Sequence, residues 1–251
     1  MIHNSFSIGP FTIHLYGLII AIAILIGWFI AKKRSAQYKI NPALFDDPIL
    51  LWPFVLGIAG GRLYHVIDKW GFYSQNPNQI IAITSGGLGI FGALIGILIG
   101  FWIIAKIKKI EFLKLLDLIA PALILGQAIG RIGNFVNQEG FGPPTNLPWG
   151  VYIDSIHRPT QYLFFTHFHP TFFYEAILEV ISFFILIKLS KKLKGSGQNF
   201  GLYLILYAAS RSIAEIWRID TAKVGDIKTA YLLSALFLAA GIYLLRSKAK
   251  S

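Results

Sequence analysis

Residues 130–142 read GRIGNFVNQEGFG. One guanidinium (Arg131), the amides of Asn134, Asn137 and Gln138, and one carboxylate (Glu139) sit among four glycines, directly after the apolar run LLDLIAPALILGQAI. Gln127, Arg131 and Asn134 recur at i, i+4 and i+7, so a helix places them on one face. Gly126, Gly130 and Gly133 repeat that spacing on a neighbouring face, where small residues are expected to admit a second helix closely. The stretch YAASRSIAEIWR repeats the design: Tyr207, Arg211, Glu215 and Arg218 share a face, and Arg211 is spaced to pair with Glu215. A third polar group, in HPTFFYEAILE, contributes His169, Tyr174, Glu175 and Glu179.

These groups lie in or at the ends of apolar segments. A charge at the centre of a bilayer costs about 2.5–3.5 kcal/mol on insertion scales, so each needs a compensating partner or ligand. Arg62, Arg131, Arg211 and Arg218 could satisfy Glu175, Glu179 and Glu215 by structural ion pairing alone. The other reading is a ligand. Arginine keeps its charge and presents a planar fork that grips phosphate oxygens in pairs, and a phospholipid headgroup combines that charge with that depth. No GxxxxGK[ST] loop, HExxH helix or GxSxG elbow occurs. The chain has no cysteine, which excludes disulfides, thiolate metal sites and a cysteine nucleophile. From the residues alone, a phospholipid-modifying enzyme and a lipid or small-anion transporter both remain open.

The elements that must position these groups follow from composition. Of 251 residues, 55% are hydrophobic and 14% charged, against about 25% charged in soluble domains. The mean hydropathy is +0.61. Seven apolar segments are expected to be membrane helices, at about 11–31, 49–67, 86–105, 115–135, 171–190, 199–217 and 229–245. The expected fold is an all-α integral membrane protein built as one polytopic domain, 1–251. Gly92, Gly96 and Gly100 form a continuous small face on the third segment, and Gly57 and Gly61 sit on the second, next to Arg62 and His65; these glycines are expected to pack helices.

The net charge of +11 is concentrated in KKRSAQYK (32–39), KIKKIEFLK (106–114), KLSKKLK (188–194) and RSKAKS (246–251). The alternate connections hold few cations: Lys69, Arg158, Lys223 and Lys228. That asymmetry is the positive-inside pattern of a membrane protein rather than a nucleic-acid surface. It predicts the N-terminus outside and the C-terminus cytoplasmic. No lysine or arginine precedes the first apolar segment, so that segment is expected to be retained rather than cleaved as a signal peptide. The connection 136–169, with GPPTNLPWG and YLFFTHF, falls outside, as a loop on the bilayer or a small extracytoplasmic cap over the site. Both polar helix faces and the start of the fifth segment then converge near the outer leaflet.

GRIGNFVNQEGFG resembles the signature of the prolipoprotein diacylglyceryl transferases of bacterial inner membranes. IHLYGLIIA, GGRLYHVI, GGLGIFGALIG, HPTFFYEA and GLYLILYAASRSIAEIWRID are similar to the family's other blocks, in the same order across nearly the whole chain. The resemblance implies transfer of the diacylglyceryl group of phosphatidylglycerol to the thiol of a lipobox cysteine in a prolipoprotein signal peptide, with glycerol 1-phosphate leaving. It implies that Arg131 binds phosphatidylglycerol, with Asn134, Glu139 and Gly142 as companions, Tyr16 from the first segment as a further lipid contact, and Arg211, Glu215 and Arg218 as a catalytic block. No metal, cofactor or nucleic acid enters such chemistry. In many members the third-segment block carries a histidine, or in others a tyrosine, where this chain has Phe91. Phenylalanine accepts no proton, so position 91 is not the base here.

Overall fold

The computed structural model describes residues 4–9, 11–82 and 86–246. Seven helices of 17 residues or more run through them: α1 (Leu15–Arg34), α2 (Trp52–Asp68), α4 (Ile90–Ile107), α5 (Phe112–Asn137), α6 (Thr171–Leu189), α7 (Gln198–Glu215) and α8 (Thr229–Arg246). A single-turn helix, α3 (Trp70–Tyr73), lies between α2 and α4.

Among the described residues, five segments are long and apolar enough to cross a membrane: Leu15–Tyr38, Pro48–Asp68, Ile90–Ile107, Phe112–Asn137 and Thr229–Arg246. Helices α6 and α7 match them in length but carry Glu175, Glu179, Arg211 and Glu215. Large apolar side chains point outward, with Leu25, Leu63 and Ile67 each more than 60% exposed. Water would not tolerate such continuous apolar surface; lipid does. The chain is a multi-pass membrane protein.

The fold is not wholly helical. Three two-stranded antiparallel sheets occur among the described residues: β1 (Ser5–Ile8) with β2 (Phe11–His14), β3 (Val151–Tyr152) with β4 (His167–Phe168), and β5 (Lys223–Val224) with β6 (Ile227–Lys228). Residues 11–14, expected as the start of the first span, are thus strand. Alternating Ser-Phe-Ser-Ile and Phe-Thr-Ile-His can pair across a tight turn in which Gly9 takes φ +58°. The basic tail beyond Arg246 lies outside the described residues.

Packing separates the chain into two units, Met1–Lys33 with Leu116–Ser251, and Arg34–Leu115. In the second unit, α2 and α4 meet backbone to backbone. A methyl group at Gly92 would collide with Gly60 O, one at Gly96 with Leu56 O, and one at Gly100 would lie 2.5 Å from Pro53 Cα. The glycine stripes expected to pack do so.

Among the described residues, Arg62 is bound by neither a carboxylate nor a ligand site. Its guanidinium donates from Nε to Ile80 O (2.8 Å), from Nη1 to Gly86 O (2.6 Å) and Gly87 O (3.1 Å), and from Nη2 to Gln79 O. A planar donor set suits several carbonyls as well as it suits a carboxylate. Arg62 is therefore a clasp that ties residues 79–80 and 86–87 of the connection between α3 and α4 to α2.

In the first unit, α1 lies along α5. A methyl at Gly27 would sit 3.5 Å from Ala122, one at Gly130 3.9 Å from Ile20, and one at Gly133 would strike the Tyr16 ring. The buried Asp117, near the start of α5, accepts the amides of Gly197 (2.6 Å) and Phe200 (2.8 Å) and so caps the N-terminus of α7. This cap sets the register of two helices. Arg131 lies fourteen positions beyond Asp117 and Arg211 fourteen beyond Gly197, about 21 Å of helical rise in each case. The two arginines reach the same level because the start of α7 is fixed beside Asp117 on α5.

The connection after α5 is folded. Phe141, Ile153, Phe168 and Phe172 form its buried core, with Phe135, Tyr162 and Phe173 packed around them. The end of α5 is fixed by Gln138, whose φ of +53° is held by its side chain: Nε2 donates to Asp154 Oδ2 (2.6 Å), and Oε1 accepts the Asp154 amide (2.5 Å).

Candidate functional site

The site grows from one carboxylate. Glu175, one turn into α6, is 1% exposed, and three arginines surround it. Arg131 Nη2 on α5 lies 2.6 Å from Oε1; Arg211 Nη1 on α7 lies 3.3 Å from Oε2; Arg218 Nη1, just beyond α7, lies 3.9 Å from Oε2. Glu179, the next turn of α6, approaches Arg131 Nη2 at 3.3 Å through its own Oε1. Arg211 also pairs with Glu215 within its helix, as its i, i+4 spacing predicts.

The cations and anions differ in how deeply they lie. Glu175, Glu179 and Glu215 are sealed at 0–1% exposure, whereas Arg131, Arg211 and Arg218 keep 15–18% of their side-chain surface. The carboxylates sit behind, and guanidinium edges remain in front. Each guanidinium has five N–H donors, and Arg131 holds both of its carboxylates through the single atom Nη2. Donor capacity is left for an anion with several oxygens.

Two further residues fasten the cluster. Lys228, from β6, donates to Glu215 O (2.6 Å) and Arg218 O (2.9 Å), closing the C-terminus of α7 with a cation, where the helix dipole favours one. Asp220 accepts Arg218 Nε (3.0 Å) and the Gly140 amide (2.9 Å), joining the turn after α5 to the segment after α7.

Of the residues singled out in the sequence, Arg131, Arg211, Glu215 and Arg218 are brought together, and Glu175 is what joins them. Asn134 and Glu139 form a separate local pair: Asn134 Nδ2 donates to Glu139 Oε1 (3.0 Å), and the Glu139 amide returns to Asn134 O (2.9 Å). Glu139 is exposed and is not tied to the arginines among the described residues. Tyr16, 39% exposed, lies against Gly133 one residue before Asn134. Gly142 is a packing residue. Its amide is spent on His169 O (2.8 Å), and a methyl there would press on Trp217 O, His169 and Thr171 at 2.8–2.9 Å.

The glycine face of α5 departs from expectation as well. Only Gly133 is met closely, by a tyrosine ring; a methyl at Gly126 would touch nothing within 4 Å. His169 and Tyr174 form a hydrogen-bonded pair at 3.1 Å, and Trp149 Nε1 donates to the same Tyr174 hydroxyl (2.9 Å). Phe91 packs on Tyr64, with ring centroids 5.9 Å apart. The sequence singles out Glu175 and Glu179 as polar groups of the fifth segment without assigning them a site role, and it assigns none to Asp220 and Lys228 either. The first two had a visible signal, a pair of carboxylates at i, i+4 in an apolar helix. The last two had none, because short-range sequence does not reveal what a loop residue will cap.

A family model described as prolipoprotein diacylglyceryl transferase matches residues 3–246. The chain is 42% identical over 241 residues to the phosphatidylglycerol–prolipoprotein diacylglyceryl transferase of Nostoc sp., spanning 94% of this chain and 85% of that one. It is 39% identical to the enzyme of the same name from Finegoldia magna, over 96% of this chain and 93% of that one. The Thermotoga maritima enzyme of that name is 40% identical over 239 residues, 94% of this chain and 81% of that one. With a match over nearly its full length, the chain belongs to the prolipoprotein diacylglyceryl transferase family.

Proposed function

We propose that this protein transfers the diacylglyceryl group of phosphatidylglycerol to the thiol of a lipobox cysteine in prolipoproteins, the first step of lipoprotein maturation. The sulfur, as thiolate, attacks the terminal glycerol carbon and forms a thioether. The carbon–oxygen bond to phosphate breaks, glycerol 1-phosphate departs with the bonding electrons, and the thiol proton passes to solvent or a nearby base. The chain has no cysteine, so the sulfur arrives with the peptide.

The observation that carries this reading is the set of three part-exposed guanidiniums held around the buried Glu175 in an apolar helical bundle. A departing phosphate develops negative charge, and preorganised cations in a low-dielectric site stabilise it without reorganising. Arg131, Arg211 and Arg218 supply those cations. Glu215 sets Arg211, and Asp220 sets Arg218. Asn134, Glu139 and Tyr16 line the approach along the outer end of α5. Neighbouring arginines also favour the thiolate over a thiol of pKa about 8.5, which lets the reaction proceed with Phe91 where a proton acceptor stands in many relatives.

The same proposal orients the chain as seven crossings of the bacterial cytoplasmic membrane. Supporting it are seven long helices among the described residues and cations at the ends of α1 (Lys32, Lys33, Arg34), α4 (Lys106), α6 (Lys188) and α8 (Arg246). The folded connection 136–169 is then an extracytoplasmic cap.

Mass spectrometry of a lipobox peptide incubated with the protein and phosphatidylglycerol vesicles tests the reaction. The peptide gains one diacylglyceryl group on its cysteine. A peptide left unmodified, with lipid instead moved between leaflets, would favour transport.

A further inference from the structure

Transfer to a thiol needs somewhere for the thiol proton to go, and Phe91 offers it nothing. Nor do the carboxylates of the cluster. Glu175, Glu179, Glu215 and Asp220 each spend oxygens on an arginine, and Glu139 accepts from the amides of Asn134 and Asn137. The polar groups that the clamp leaves unused lie where the cap meets α6. Three segments join there at one phenol: Tyr174, in the first turn of α6, meets Trp149 Nε1 at 2.9 Å and His169 Nδ1 at 3.1 Å.

The His169 backbone and ring are both pinned. Its amide donates to Pro143 O (3.0 Å), its carbonyl accepts the Gly142 amide (2.8 Å), and Nδ1 is bound to Tyr174. Nε2 has no hydrogen-bond partner among the described residues, on a side chain that is only partly buried. The pair adjoins the arginines. A methyl at Gly142 would lie 2.9 Å from His169 Cβ and 2.8 Å from Trp217 O, so both border the same space. Arg218 follows Trp217 in the chain, and Glu175 follows Tyr174, whose ring meets Trp217 edge-on at 6.0 Å.

An indole nitrogen only donates, so the Tyr174 oxygen accepts from Trp149 and keeps a second lone pair for Nδ1–H. With its proton on Nδ1, imidazole carries a lone pair on Nε2 and can take a proton near neutral pH. The arginines do not forbid this. Each is paired with a carboxylate, and a bound phosphodiester adds a further anion that favours a neighbouring imidazolium.

We propose that His169 is the proton acceptor for the substrate thiol, through Nε2, and that Tyr174 and Trp149 are positioning residues that fix its tautomer. This rests on the transfer reaction proposed above and assigns the base which that reaction leaves open. The S–H bond breaks and its proton goes to Nε2, while the sulfur keeps the electron pair and forms the new bond to carbon. The carbon–oxygen bond to phosphate breaks, and glycerol 1-phosphate takes those electrons. The imidazolium then releases its proton to water.

The test offers the protein two lipobox peptides, one with cysteine and one with selenocysteine, whose selenol is ionised at neutral pH and needs no base. The readout is kcat/KM for each peptide at pH 7 and pH 9, for the wild type, His169→Asn and His169→Gln. Asparagine keeps an amide where Nδ1 was and glutamine puts one where Nε2 was, and neither takes a proton. A thiol of pKa about 8.5 is only a few per cent thiolate at pH 7, so both variants lose about thirtyfold on the cysteine peptide there. The loss shrinks to a few-fold at pH 9 and is small throughout on the selenocysteine peptide. Tyr174 and Glu175 on α6, Arg218 and Asp220 after α7, Glu139 after α5 and His167 on β4 are the other ionisable groups on the elements around His169. Wild type and variants share them, so their titration cancels in the ratio. Tyr174→Phe, which deletes one oxygen, gives the same selective loss at a smaller size and decides the matter should neither His169 variant insert. A loss equal on the two peptides, or no loss on either, overturns the assignment. Transfer to neither peptide by the wild type overturns the reaction itself.

Discussion

Between α2 and α4 the backbones come so close that glycines at 92, 96 and 100 leave no room for a methyl group, and Arg62 in the same unit spends its guanidinium on main-chain carbonyls. Among α5, α6 and α7 a buried apolar core of Ala120, Ile124, Leu186, Tyr203 and Leu204 is joined by ion pairs between charged side chains, and a methyl at Gly126 would meet nothing within 4 Å. In a membrane apolar surface gains little by association, and helices are held by close packing and polar bonds. The first region closes on itself completely. The second is held by charges whose outer faces are unfinished, and an unfinished array of cations is what a phosphate-bearing substrate can complete.

If this contrast is right, the largest loss comes from Glu175. Glu175→Ala removes the carboxylate that Arg131, Arg211 and Arg218 share, leaving Arg131 only Glu179 and Arg211 only Glu215, and breaking a buried ion pair costs about 3–5 kcal/mol. The expected outcome is a marked fall in the thermal unfolding temperature of the detergent-solubilised protein, together with loss of transfer. A variant as stable and active as the wild type would show that the arginines do not depend on it.

Next in size is the coupling of Arg211 and Glu215. Each single substitution to alanine takes away the other residue's nearest counter-charge, leaving Arg211 only Glu175 and Glu215 only Lys228, so the losses in kcat/KM are large singly and less than additive together, with an interaction of about 0.5–3 kcal/mol. Additive losses on a logarithmic scale would separate the two residues.

The packed region gives a smaller effect of opposite pattern. Gly96→Ala forces a methyl into the Leu56 backbone and destabilises by about 1–3 kcal/mol. Gly126→Ala, with open space and a helical backbone, is neutral or stabilising by up to about 1 kcal/mol. Unfolding temperatures of the two variants compare the regions directly, and equal costs would erase the distinction between them.

The smallest effect is expected at Phe91. Supplying a base there by Phe91→His changes the transfer rate only modestly, because stabilising the leaving phosphate is the larger contribution. Transfer absent in the wild type and present in the histidine variant would reverse that ranking.

Much of this contrast was legible beforehand, and for definable reasons. Gly92, Gly96 and Gly100 announce a packing face because GxxxG spacing is a local property of one helix. Arg211 with Glu215 was readable for the same reason, being i, i+4 neighbours. What was hidden depends on partners distant in the chain. That Glu175 rather than Glu215 gathers the arginines follows from the register of α7 against α5, which the Asp117 cap sets across 80 residues. The carbonyls that occupy Arg62 carry no sequence signal at all, since every residue has one. Strands of two residues, such as β3 and β4, exist only through their pairing, and the strand at 11–14 is hidden in an apolar run that continues into α1.

The most direct measurement is transfer by Arg131→Lys. Lysine keeps the positive charge but replaces the planar fork with a single ammonium, which cannot hold two carboxylates and two phosphate oxygens in a fixed geometry. With insertion confirmed by membrane fractionation, kcat/KM for phosphatidylglycerol should fall on the order of a hundredfold, the scale of losing one preorganised donor to a developing anion. Near-normal transfer by a correctly inserted lysine variant would mean that charge alone suffices, and the arginine cluster would not be the phosphate clamp.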